Sequence, residues 1–300
     1  MAKIGIVGAG KVGANSAFAL LQQMDPDEIA ILEIPQAENL AVGEAADLNT
    51  AAAGLGKRTR VTGGADPSIL AGSDVVVVAA GFPRKPGMTR QDLLAKNIDI
   101  CRDVVGKIRA NAPEAMIFYV ANPVDVLTYA AWKISGKPRN HVFGMGSFHD
   151  TTRLWDLLRD QYGVPQPIEA YILGEHGETM FPARSLARVG KAAVDWANVA
   201  EAVRGKAAKI IEQKGATYYA PAISVALQVK SVLRNEKRLF PTSCVLDGEY
   251  GLRGVAVGVP AVLGRNGVEK VVELPLSKPD EELLRRSAAA IAEKVREAGL

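Results

Sequence analysis

The sequence predicts an α/β protein with two parts: an N-terminal doubly wound parallel sheet, and a C-terminal α+β unit with antiparallel strands. The chain has 300 residues, and a typical domain length of about 150 residues suggests two domains. In the first half, helical segments alternate with short, continuously apolar runs. Such runs suit parallel strands that are buried on both faces. We place the domains at residues 1–144 and 145–300.

The elements of the first half begin with an apolar strand that ends at a glycine, followed by a helix. A third strand contains four consecutive valines. The helix after it carries Leu94, Ile98, Cys101, Val105 and Ile108 at spacings of three and four, which is one buried helix face. The predicted elements are strands at Ala2–Val7, Glu28–Ile34, Asp74–Ala80 and Ala115–Val120, and a helix at Ala14–Met24.

The second half has a different pattern of elements. A helix is expected from Ser147 to about Tyr162, and Pro165–Leu173 leads into a strand. Residues 197–234 read as helix with a break near Pro221. The remaining elements are antiparallel strands at Phe240–Leu246, Gly254–Leu263 and Val268–Leu274, and a last helix capped by Ser277 and Asp280.

Composition excludes several classes of function. The net charge is only +3 and aromatic residues make up 6%, so no basic, aromatic-rich nucleic-acid surface is expected. No apolar run approaches the roughly 20 residues of a membrane span. Two distant cysteines and the lack of a signal-peptide pattern favour a cytoplasmic protein. Three scattered histidines are too few for a metal site.

The segment GAGKVG at residues 8–13 follows the first strand and opens a helix. A lone glycine pattern of this kind could be an ordinary turn. Here Glu33 ends the second strand 20 residues after Gly13, as a Rossmann dinucleotide site requires. Gly8 permits the tight turn, Gly10 lets backbone amides approach a pyrophosphate, and Gly13 lets the helix pack on the strand. We therefore predict a dinucleotide cofactor whose ribose hydroxyls bind Glu33.

The cofactor is predicted to be NAD rather than NADP. An acidic residue at position 33 would repel a 2′-phosphate. No lysine or arginine occurs between Glu33 and Lys57 to neutralise one.

His176, in LGEHGET, is the candidate general acid–base group. It follows a predicted strand between two glycines, and its ordinary pKa is close to working pH. Asp150 could hold its ring, and Arg153, three residues further on the same helix, could bind a carboxylate. The plain alternatives are a surface histidine, a Ser147–Asp150 capping box and an intrahelical ion pair. Asn122, in ANPVD, follows a strand where ligands bind in such sheets, or it is only part of a turn.

The loop GFPRKPGMTR at residues 81–90 is unusually basic, with Arg84, Lys85 and Arg90. Two prolines and two glycines exclude regular structure. Thr89 and Asp92 form a capping box that starts the next helix. The loop is either a solvated turn or a lid that closes on an anion.

Taken together, the chain resembles the lactate/malate dehydrogenase family over essentially its whole length. The matching segments are GAGKVG, AGFPRKPGMTRQDLLAKN, ANPVDV, GMGSFHDTTRL, GEHGE and KGATYYA. The resemblance implies that His176 exchanges the proton while Asp150 orients it. It implies that Arg153 binds the C1 carboxylate, Arg90 polarises the reacting carbonyl, and Thr217 lines the pocket. The implied cofactor contacts are Gly8, Gly10, Lys11, Val12, Gly13, Glu33, Ala80, Gly81, Asn97, Val120 and Asn122, of which Asn122 also holds the substrate.

The choice of substrate depends on Arg84. In this family the loop residue six before the catalytic arginine contacts the far end of the substrate. Lactate enzymes typically carry glutamine there and malate enzymes carry arginine. A second carboxylate in a closed pocket needs a cation, and arginine binds it bidentately. Met88 also fits, because it replaces an acid that would repel a dicarboxylate. The resemblance thus implies an NAD-dependent malate dehydrogenase of the tricarboxylic acid cycle, acting on malate and oxaloacetate as a homotetramer or dimer.

Two departures from the family and two alternative functions accompany this prediction. His149 stands where the family usually has an apolar residue, commonly leucine. The segment IPQAEN after Glu33 lacks the usual aspartate-rich turn. The alternatives are an L-lactate or broad 2-hydroxyacid dehydrogenase, and a catalytically silent NAD-binding regulator.

Overall fold

One nine-stranded sheet runs through the molecule. The computed structural model describes residues 2–82 and 89–300, and of Arg90 only the backbone. Six strands form the parallel part: β1 (Lys3–Val7), β2 (Glu28–Leu32), β3 (Arg60–Gly64), β4 (Val75–Val78), β5 (Met116–Tyr119) and β6 (Val142–Gly144). Their order, β3-β2-β1-β4-β5-β6, is that of a Rossmann fold. The predicted parallel sheet is therefore confirmed.

Helices cover both faces of this sheet. The four valines of β4 are completely buried, which explains why their run does not alternate with polar residues. The helices are α1 (Lys11–Gln23), α2 (Glu38–Gly54), α3 (Arg90–Asn111) and α4 (Val124–Ser135). In α3, the predicted apolar face is buried, and Thr89 and Asp92 form the expected capping box.

The second half extends the same sheet with antiparallel strands. β9 (Arg238–Asp247) pairs antiparallel with β6, and β10 (Arg253–Gly264) pairs antiparallel with β9 and with β11 (Gly267–Val271). The strands agree with the predicted antiparallel character, but they continue the first sheet because β6 offers β9 a free edge. The elements here are α5 (Ser147–Tyr162), β7 (Ile172–Leu173), β8 (Phe181–Pro182), α6 (Trp196–Lys214), α7 (Tyr219–Leu233), β9 (Arg238–Asp247), β10 (Arg253–Gly264), β11 (Gly267–Val271) and α8 (Lys278–Glu297).

The break expected near Pro221 lies earlier in the chain. Gly215, with φ of 83°, caps α6, and α7 begins at Tyr219. Pro221 lies in the first turn of α7, where a backbone N–H has no helical partner to lose. The prediction placed the break at the proline, whereas the glycine C-cap makes it.

The core is continuous across both halves. One large apolar cluster contains residues of β1, β4, β5, β9 and β10, and a smaller one lies between α5 and α6. Within the described residues, no helix is both long and apolar enough to cross a membrane.

Candidate active site

The glycine loop after β1 shows why glycine is needed at positions 8 and 13. Gly8 has φ of +105°, and a Cβ there would lie 2.8 Å from the backbone nitrogen of Ala80. A Cβ on Gly13 would lie 1.9 Å from the carbonyl oxygen of Gly8, so only glycine lets α1 approach the strand. A Cβ on Gly10 would meet nothing within 4 Å. The space before Gly10 is thus open to an approaching ligand.

The start of α1 fits the pyrophosphate of a dinucleotide. Gly10 is the N-cap, and no side chain caps the helix, so the first backbone N–H groups, including those of Lys11 and Val12, are available to an anion. Glu33 lies at the end of β2. Its Oε2 accepts a hydrogen bond from the N–H of Ala9 at 2.8 Å, and its Oε1 accepts one from the N–H of Ile34 at 2.9 Å.

The ends of β4 and β5 supply the neighbouring wall. Ala80 and Gly81 follow β4, and Val120 and Asn122 follow β5, at the same carboxyl edge of the sheet. Asn122 is exposed there. Asn97 is buried, and its Oδ1 accepts a hydrogen bond from the N–H of Phe82 at 2.6 Å. Through this hydrogen bond, Asn97 fixes the chain at the start of the basic loop.

His176 and Asp150 meet as the sequence predicts. His176 Nδ1 and Asp150 Oδ2 are 2.6 Å apart, and the Asp150 side chain is fully buried. Burial lowers the pKa of His176, but the charge of Asp150 and its hydrogen bond outweigh this and raise it above 6.5. Burial likewise raises the pKa of Asp150, but the charge and hydrogen bond of His176, together with the charge of Arg153, outweigh this and lower it. The pair therefore favours an imidazolium beside a carboxylate.

Arg153 joins the pair from the next turn of α5. Its Nη1 donates to Asp150 Oδ1 at 2.9 Å, and both side chains are buried. One carboxylate thus holds the imidazole with one oxygen and the guanidinium with the other. A guanidinium has five N–H donors, so Arg153 retains donors for a bound carboxylate.

The interpretation of Ser147 and Asp150 as a capping box is wrong. Gly146 is the N-cap of α5, and no side chain caps the helix. The Ser147 hydroxyl donates to the carbonyl oxygen of Gly174 at 3.2 Å. Asp150 is engaged by His176 and Arg153, which are stronger partners than a backbone N–H because they are cationic.

Asp125, which sequence reasoning missed, holds the backbone of His176. Its Oδ2 accepts from the His176 N–H at 2.7 Å, and its Oδ1 accepts from the Ser243 hydroxyl at 2.6 Å. Burial raises its pKa to about 6, although these hydrogen bonds oppose the shift. The sequence feature that could have indicated Asp125 is its place in ANPVD, just after a predicted strand. At that strand end only Asn122 was predicted to be a site residue.

Glu175 is a second missed residue. It accepts from the Thr179 hydroxyl at 2.6 Å and pairs with Lys294 of α8. This pairing fixes the loop around His176 to the last helix. Nothing local in the sequence indicates a partner 119 residues away.

Thr217 lies in the connection between α6 and α7 and lines a cavity of about 510 Å³ together with Arg153 and His149. Arg84 and the side chain of Arg90 lie outside the described residues, as do Lys85 and Met88. Among the residues described, no group of three or more histidine, cysteine or acidic side chains could hold a metal ion.

The site can therefore exchange a proton at His176 and bind a carboxylate at Arg153. Both groups lie at the carboxyl edge of the sheet that also carries the glycine loop. Two models of known protein families match this chain. Residues 2–144 match the NAD binding domain of lactate/malate dehydrogenases, and residues 149–299 match the alpha/beta C-terminal domain of the same enzymes.

The chain belongs to the lactate/malate dehydrogenase family.

Relatives within the family cover nearly the whole chain. A malate dehydrogenase of Archaeoglobus fulgidus is 51% identical over 99% of both chains. An L-lactate dehydrogenase of Geobacillus stearothermophilus is 39% identical over 97% of this chain and 95% of its own.

Solved structures of dehydrogenases from this family have the same fold as this chain. Malate dehydrogenase from Archaeoglobus fulgidus in complex with NADH has a TM-score of 0.94 and 50% identity, covering 99% of this chain and 100% of its own. A minor L-lactate dehydrogenase from Enterococcus mundtii has a TM-score of 0.92 and 31% identity, covering 98% of both chains. The predicted family, fold class and NAD cofactor are confirmed.

Proposed function

We propose that this chain is an NAD-dependent malate dehydrogenase that interconverts (S)-malate and oxaloacetate. The observation that carries the chemistry is the group that His176 forms with the buried side chains of Asp150 and Arg153 at the carboxyl edge of the sheet. The near full-length likeness to a malate dehydrogenase, 51% identical, supports the choice of substrate.

His176 exchanges the proton of the substrate hydroxyl. Because Asp150 holds Nδ1, Nε2 is the atom that faces the substrate. In malate oxidation Nε2 accepts the hydroxyl proton, and Asp150 stabilises the imidazolium that forms. In oxaloacetate reduction the same nitrogen returns the proton to the carbonyl oxygen. The net reaction is malate + NAD⁺ giving oxaloacetate + NADH + H⁺.

Arg153 orients the substrate by binding its C1 carboxylate, since its guanidinium is fixed by Asp150 and keeps free donors. Asn122 and Thr217 are proposed to complete the substrate pocket, and Arg90 to polarise the carbonyl. Bound NAD would supply the hydride chemistry at C2. The chain would hold it through the glycine loop, Glu33 and the residues after β4 and β5.

Arg84 is proposed to distinguish malate from lactate. An unpaired carboxylate in a closed pocket is costly, so the arginine favours oxaloacetate over pyruvate. An L-lactate dehydrogenase is the second candidate, because L-lactate dehydrogenases are also close relatives at 39% identity.

Assembly and location complete the proposal. We propose a homotetramer or dimer whose subunits divide at residues 1–144 and 145–300, acting in the cytoplasm within the tricarboxylic acid cycle. Light scattering after size-exclusion chromatography checks the subunit number.

The test of the chemistry is turnover by His176→Asn, with His141→Asn as the matched control. His141 precedes β6, at the opposite edge of the sheet. We expect turnover to fall by at least about 1,000-fold in the first variant, while NADH binding measured by fluorescence stays unchanged. Near-normal turnover in His176→Asn would exclude its assigned role.

A further inference from the structure

His149 is a buried polar side chain that the mechanism above does not use. It is the third residue of α5 and is only 3% exposed. Among the residues that the structure describes, neither Nδ1 nor Nε2 has a hydrogen-bond partner. Burying such a group unpaired opposes folding, so its presence requires a reason.

The surroundings of His149 include two of the proposed substrate-binding residues. Its ring lines the same cavity of about 510 Å³ as Arg153 and Thr217. His149 and Arg153 are four residues apart on α5, which makes them neighbours on one side of the helix. The centroids of the His149 and His176 rings are 6.3 Å apart. His149 is thus adjacent to both the carboxylate-binding and the proton-exchanging side chain.

The imidazole of His149 is neutral at working pH. Burial, together with the charge of Arg153, lowers its pKa from 6.5 to about 3 against the opposing charge of Asp150. A neutral imidazole has one N–H donor and one acceptor nitrogen. It can therefore donate to a carboxylate without bringing a second cation next to Arg153.

We propose that His149 is a substrate-binding residue whose ring N–H donates a hydrogen bond to the carboxylate that Arg153 binds. The inference rests on the proposed function, because it assumes a hydroxy or oxo acid in this pocket. The bond forms only with substrate present, which explains why the ring is unpaired within the chain. The leucine common in the family at this position could not form it.

The first test observes the histidine rings in the wild-type chain. The chain has only three histidines, so a sample labelled with ¹⁵N in its histidine rings gives few signals. Glutamine variants of His141 and His176 assign the signals of those two rings, and the remaining signals belong to His149. Adding malate to the chain saturated with NADH forms an unreactive complex, because both molecules are reduced.

We expect the ring nitrogens of His149 and His176 to shift in that complex and those of His141 to stay in place. A response of His176 with unchanged His149 signals would overturn the proposal. This experiment requires no variant at position 149 to fold.

The second test separates binding from turnover. His149→Leu should raise the KM for oxaloacetate roughly 10-fold, the usual effect of losing one hydrogen bond to a charged group. Its kcat should change less than its KM, and the KM for NADH should not change. His149→Gln, which keeps an N–H donor, should recover part of the lost affinity. His141→Gln is the control and should match the wild type.

Other results contradict the proposal in distinct ways. An unchanged KM in His149→Leu, or equal losses in the leucine and glutamine variants, would show that the ring has only a packing role. A wild-type chain that binds NADH but reduces no 2-oxo acid would overturn the proposed function, and this inference with it. The wild type is therefore assayed first.

Discussion

Replacing His149 by glutamine should make the folded chain more resistant to mild acid. The folded state holds the pKa of His149 at about 3 instead of 6.5 because the ring is buried beside Arg153. The unfolded chain therefore binds a proton in the window between these values and the folded chain does not. Stability from this site is complete above the ordinary pKa and is lost as the pH falls below it.

The size of the effect follows from the two pKa values. Between about pH 8 and about pH 5, the unfolded ring becomes almost fully protonated while the folded ring stays neutral. This costs the wild type about 2 kcal/mol of unfolding free energy. Glutamine does not titrate, so the variant avoids that loss.

Urea unfolding at both pH values, followed by circular dichroism, measures the difference. The wild type should lose about 2 kcal/mol more than His149→Gln between the two conditions. The His141→Gln variant should lose nearly as much as the wild type, since His141 is only partly buried. Equal losses in wild type and His149→Gln would refute the claim that the folded ring stays neutral.

Three further predictions concern the site and its support. Asp150→Asn should lower the pKa of His176, because the carboxylate that raises it is gone. As the pH is raised, the kcat/KM for oxaloacetate should therefore begin to fall at a lower pH than in the wild type, which a pH–rate profile measures. Asp125→Ala leaves the partly buried N–H of His176 unpaired and should reduce kcat/KM at least about tenfold, while NADH affinity is kept. An equal loss of NADH affinity would contradict a local role. Gly13→Ala places a Cβ 1.9 Å from the oxygen of Gly8 and should weaken NADH binding and lower the melting temperature, whereas Gly43→Ala, with open space around it, should do neither.

Much of the fold could be predicted because local patterns coincide with the observed elements. The run of four valines marks a buried parallel strand, and the glycines of GAGKVG have fixed steric roles. The Thr89 capping box places the start of α3 correctly. The short strands β3 and β6 and the helices α2 and α4 were not assigned. β6 has only three residues, and its position depends on pairing with β5 and β9.

In the site too, some features follow from local sequence and others depend on distant parts of the chain. Asp150, Arg153 and His176 could be predicted because their residue types suit proton transfer and carboxylate binding. Their alternative interpretations could not be separated, since an acid after a serine at a helix start fits a capping box equally well. Distant pairing decides the matter: His176 lies 26 residues from Asp150 along the chain and 51 from Asp125.

The most direct measurement of the central claim is NADH oxidation by the wild-type chain with oxaloacetate and, separately, with pyruvate. We expect rapid oxidation with oxaloacetate and a kcat/KM at least about 100-fold lower with pyruvate, because an arginine left without its carboxylate disfavours the smaller substrate. Arg84→Gln should narrow that ratio. A wild-type preference for pyruvate, or no oxidation with either acid, would contradict the proposed malate dehydrogenase activity.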